Sequence, residues 1–67
     1  MNEEQQPIYS LNNKVKVLNG FYKNFKGKIK DYKVTKQGIE YEVEVNLKDN
    51  RVKKINFAEI QLKKTFF

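Results

Sequence analysis

Apolar residues recur at every second position through most of this chain, the spacing that turns one side of a strand toward a core and the other toward water. The clearest run covers residues 39–47, where Ile39, Tyr41, Val43, Val45 and Leu47 alternate with Glu40, Glu42, Glu44 and Asn46. It predicts a half-buried strand. Val15 and Val17 alternate with Lys14 and Lys16 in the same way over a shorter stretch. Ile29, Tyr32 and Val34 mark a strand over 28–35 in which the step from 29 to 32 is odd. That slip predicts a bulge or sharp bend, the device by which a sheet curls into a barrel. Val52 and Ile55 mark a further strand over 51–56, Phe57, Ala58 and Glu59 a single helical turn, and Ile60 and Leu62 a short closing strand.

The punctuation between these runs suits hairpins. Gly20 and Gly27 bound a loop over 19–27, Gly38 ends the short connection Lys36-Gln37-Gly38, and Lys48-Asp49-Asn50 has turn chemistry. Five short strands in some 50 residues predict an all-β fold, a small barrel over 14–64. Residues 1–13 are expected to be a flexible polar tail and residues 65–67 a second tail.

Composition narrows the function. Sixty-seven residues hold one domain and one core. With no cysteine and no histidine, disulfides, thiolate metal sites and the usual nucleophile and base pairings are excluded. Ser10 falls in the expected tail. No apolar run approaches the roughly 20 residues of a membrane helix, and the polar start with Glu3 and Glu4 does not read as a secretion signal. A non-catalytic, cytoplasmic, monomeric binding protein without cofactor or metal is the expectation. The net charge is +6, and its distribution is uneven: residues 1–38 hold eight lysines against three carboxylates, residues 39–67 six cations against five. A basic segment over 14–36 points to an anionic partner, RNA, DNA or a ribonucleoprotein surface. Lysines also keep a small sheet soluble and blunt its edges.

The stretch 15–29, alternating valines, a loop and a glycine leading into a second apolar strand, resembles a KOW motif. It looks most like the C-terminal KOW domain of the NusG family of transcription factors, which carries a glycine, two loop aromatics and a second glycine at the spacing of Gly20, Tyr22, Phe25 and Gly27. Val43, Val45, Val52 and residues 57–60 resemble that domain's closing strands. The resemblance covers residues 14–62 and implies an SH3-like barrel that binds ribosomal RNA or docks proteins through its loops. The polymerase-binding domain of that family has no counterpart here. Residues 37–43 with 56–58 also resemble the PsaE type of SH3-like docking subunit. The one enzymatic precedent for such barrels, the plasmid-type dihydrofolate reductase, carries a Gln-Ile-Tyr segment that this chain lacks.

The candidate site is therefore the loop and its flanks. Phe21, Tyr22 and Phe25 interleave with Lys14, Lys16, Lys23, Lys26 and Lys28, a constellation that stacks bases and neutralises phosphates. Phe25 is expected to lean on the core and Tyr22 to stand exposed; Phe21 can do either. Glu40, Glu42 and Glu44 share one strand face about 6.5 to 7 Å apart. Lysines of the flanking strands, among Lys28, Lys30, Lys33, Lys53 and Lys54, are their expected partners rather than a metal or substrate. Arg51 stands at a turn, and Phe66 and Phe67 end the chain without an assigned role. Two functions remain open: binding of RNA or a ribonucleoprotein complex, and docking to an acidic protein surface by an adaptor of the kind a phage or other mobile element encodes.

Overall fold

A computed structural model describes residues 6–66. The alternating runs fold as five antiparallel strands, β1 (Lys14–Val17), β2 (Lys26–Thr35), β3 (Gly38–Asn46), β4 (Val52–Ala58) and β5 (Leu62–Lys64), with a 3₁₀ turn at Glu59–Gln61. They form one sheet in the order β4-β3-β2-β1-β5, so the all-β class is as expected. No helix among the described residues is long and apolar enough to cross a membrane.

The inward faces build a single core. Val15 and Val17 of β1, Ile29 of β2, Ile39, Tyr41, Val43 and Val45 of β3, Phe57 of β4 and Leu62 of β5 are buried. Leu47, just past β3, is half-buried against them. The odd step in β2 is a bulge. Ile29 pairs with Val43 and Asp31 with Glu42, so Lys30 is the extra residue and the inward phase passes from Ile29 to Tyr32. Gly38 takes the positive φ expected of it, at 128°.

Several inward assignments fail, each for a physical reason. Tyr32 and Val34 are 43% and 58% exposed because β1 pairs only with the start of β2, at Lys26, Gly27 and Lys28. Beyond the bulge β2 keeps only β3 as a neighbour, while β3 stays paired with β4 as far as Glu40. Val52 is exposed because it lies opposite Asn46 on the outward face, out of phase with the inward Ile55 and Phe57. The helical turn comes two residues later than the sequence suggests, because Phe57 continues the inward step from Ile55 and keeps the strand extended through Ala58. Ile60 consequently sits on the turn, exposed, instead of opening β5.

The expected N-terminal tail is the main correction. Tyr9 is buried, its ring edge-on to Tyr41 with centroids 5.2 Å apart, and its hydroxyl donates to the carbonyl of Leu62 at 3.0 Å. The Tyr41 hydroxyl accepts from the backbone N–H groups of Ile8 and Tyr9 at 3.0 and 3.3 Å and donates to Glu59 Oε2 at 2.6 Å. The Asn12 N–H, with Asn12 at φ 69°, donates to the Ile29 carbonyl at 2.7 Å. The segment around Tyr9 thus packs over Tyr41 and belongs to the core of the sheet rather than to a tail. Residues 1–5 lie outside the described residues, as does Phe67, whereas Thr65 still donates its N–H to Lys14.

This packing ties stability to alkaline pH. Burial first, then the Glu59 hydrogen bond, hold the Tyr41 hydroxyl above its ordinary value of 10.0, and burial followed by the Glu59 charge does the same to Tyr9. The fold thus keeps protons that the unfolded chain releases, so its contribution is complete below the unfolded value and is lost as pH rises through the folded ones. Tyr41→Phe removes the acceptor for two N–H groups and should cost about 1 to 3 kcal/mol near pH 7. Urea unfolding at neutral and strongly alkaline pH checks this: the variant's stability should fall less steeply above pH ~10 than that of the parent chain.

Candidate nucleic-acid interface

Because Val15 and Val17 point inward, Lys14 and Lys16 point outward, their stems half-covered. The register then sets lysine against lysine. Lys14 lies opposite Lys28 and Lys16 opposite Lys26 across the β1–β2 pair, and on the other side Lys16 lies opposite Lys63. Like charges directly opposed on a sheet face repel by roughly 0.2 to 1 kcal/mol per pair. Five lysines thus converge on the outer face of β5, β1 and β2. The face ends at β3, where Lys28 meets Glu44, itself flanked by Lys54 of β4.

The glutamate strand is mostly compensated as expected. Lys33 pairs with Glu40 at 3.3 Å, and Glu40 also accepts from Asn56 at 3.2 Å. Glu42 departs from this, lying between Asp31 and Asn56. The shallow depression lined by Asp31, Tyr32, Lys33, Glu40, Glu42 and Asn56 is therefore acid-rich and a poor seat for phosphate. Among the described residues no group of acidic side chains is arranged to hold a metal ion. Arg51 is engaged locally by Asp49 at 2.7 Å.

The loop between β1 and β2 presents its aromatics differently from expectation. Gly20, at φ 85°, and Asn24, at φ 72°, reverse the chain, and the carbonyls of Gly20 and Tyr22 accept from the N–H groups of Lys23 and Phe25 three residues on. That tight turn puts Tyr22 and Phe25 on one side. The Tyr22 ring lies edge-on to Phe25 and Phe57, at 5.6 and 6.5 Å, and both loop rings pack half-buried against the core. Tyr22 therefore leans inward rather than standing exposed. Phe21 is forced to the opposite side and is 89% exposed, with one edge against Tyr22 at 4.9 Å. Lys23 is exposed beside it.

Of the expected site residues, Lys14, Lys16, Lys26 and Lys28 are brought together on the sheet, Phe21 and Lys23 stand at its loop end, and Tyr22 and Phe25 support the loop from beneath. Lys63 was missed, although its place one step after the inward Leu62 identifies it as outward-facing. Compared with protein-family models, characterised proteins and solved structures, the chain matches none.

Proposed function

We propose that this chain is a non-catalytic KOW-type barrel that binds RNA, free or within a ribonucleoprotein, on the lysine face of β5, β1 and β2. One observation carries the reading: Lys63, Lys16 and Lys26 occupy directly paired positions on three adjacent strands. Such a row concentrates positive charge on one face, and a polyanion laid across it is drawn to that charge. The neighbouring depression lined by Asp31, Glu40 and Glu42 repels phosphate and so sets an edge to the bound strand. Phe21 at the loop end supplies an exposed ring for stacking.

Fluorescence anisotropy with a labelled single-stranded RNA tests this. Affinity should fall steeply with salt, and Lys16→Ala should lower the slope of log affinity against log salt by about 0.7. Lys33→Ala, which removes a lysine engaged by Glu40, should leave the slope unchanged. Affinity that is flat between about 50 and 200 mM salt refutes the reading.

The exposure of Phe21 favours a second reading, docking of an acidic protein through the loop. Capture of a partner that persists after nuclease treatment and disappears in Phe21→Ala supports that reading over the first.

A further inference from the structure

The pairing of β2 with β3 ends where Gly27 meets Val45. Just past it, Asn24, Phe25 and Lys26 lie beside Asn46, Leu47 and Lys48. These six residues line a shallow groove at the end of the sheet. Its floor is apolar, made of the half-buried Phe25 and Leu47, both packed on the core. Around it stand two amides and two lysines, Asn24, Asn46, Lys26 and Lys48, all four exposed.

We propose that this groove is a subsite for one unpaired base of the bound strand. The inference rests on the RNA-binding reading and adds where a base is read. An aromatic floor accepts the π-face of any base. The amides of Asn24 and Asn46 supply donors and acceptors for a base edge, and the two lysines suit the phosphates that precede and follow it. Lys26 belongs both to this lining and to the lysine row, so a strand held by Lys63, Lys16 and Lys26 leads into the groove. A duplex, whose bases stack on one another, offers no base face to such a floor. Charge complementarity argues for nucleic acid over an apolar peptide, since two of the six lining residues are cationic and none is acidic.

The full chain should bind a fluorescein-labelled uridine decamer about tenfold more tightly than an abasic ribose-phosphate decamer of the same charge. Phe25→Leu, which keeps the apolar contact and removes the ring, should reduce the uridine decamer to the abasic affinity, and a far-UV circular dichroism spectrum and melt matching the parent's show that the variant folds. Backbone amide shifts on adding the uridine decamer to the parent protein give a second measurement and should centre on residues 24–26 and 46–48. Equal affinities for the two decamers, or shifts confined elsewhere, overturn the subsite while the lysine-face reading stands. Binding of neither decamer overturns both. Amide shifts in the groove with a glutamate-rich decapeptide but not with the decamer assign the groove to protein and overturn the proposal.

Discussion

Gly27→Ala is expected to strip this chain of about a third or more of its stability. Gly27 lies in β2 with its backbone pressed against β3, and a Cβ there would overlap the carbonyl oxygen of Glu44 and lie 2.9 Å from Val43 Cγ1. Neither obstacle can yield cheaply. The carbonyl belongs to β3, an inner strand paired on both sides, and Val43 is fully buried. Overpacking of this kind costs about 3 kcal/mol or more, against a total stability of roughly 3 to 10 kcal/mol for a domain of this size. Gly20→Ala is the informative control. Nothing lies within 4 Å of its missing Cβ, and only its φ of 85° opposes a side chain, a strain of about 1 kcal/mol. Urea unfolding followed by circular dichroism should rank Gly27→Ala far below Gly20→Ala; equal midpoints for the two would show that β2 and β3 do not approach as closely as described.

Tyr9→Ala should be the second most damaging change, although its position near the chain start suggests none. The substitution removes a buried ring packed on Tyr41 and the hydroxyl that caps the Leu62 carbonyl. Aromatic-to-alanine changes in a core cost about 3 to 5 kcal/mol. In a domain of this size each kcal/mol corresponds to some 4 to 8 °C in melting temperature, so the midpoint should drop by more than about 12 °C. Tyr9→Phe, which loses only the hydroxyl, should lose about 1 kcal/mol. A thermal melt of Tyr9→Ala that coincides with the parent's would restore the reading of residues 1–13 as a tail.

The contrast between these two positions shows what sequence can carry. Gly27 was half legible: the sequence sets it as the turn glycine that ends the loop, whereas it lies inside β2, yet a glycine entering a strand marks a close backbone approach in either place. The bulge at Lys30 was legible because a period of two makes a single slip visible at Ile29 and Tyr32. Tyr9 belongs to no period. It is one aromatic in a polar stretch, and its partner Tyr41 lies 32 residues away. Within the loop, the facing of Phe21 and Tyr22 depends on a turn with i to i+3 hydrogen bonds, which the alternation argument does not contain. The lysine face was half visible. Outward lysines follow from inward valines within one strand, but that Lys16 meets Lys26 and Lys63 depends on pairing between strands, which composition does not determine.

The bulge at Lys30 has a consequence for how the molecule opens. On one side of it β2 has β1 and β3 as neighbours; on the other, through Thr35, it has β3 alone. β3 stays paired with β4 as far as Glu40, so only the tip from Val34 to Ile39 lacks a third strand. That tip can fray at Lys36 and Gln37 for the cost of its own pairings, while the pairing of Glu40, Tyr41 and Glu42 with β4 holds the strands between it and the lysine face. The same tip is where a graft or insertion would disturb the binding surface least.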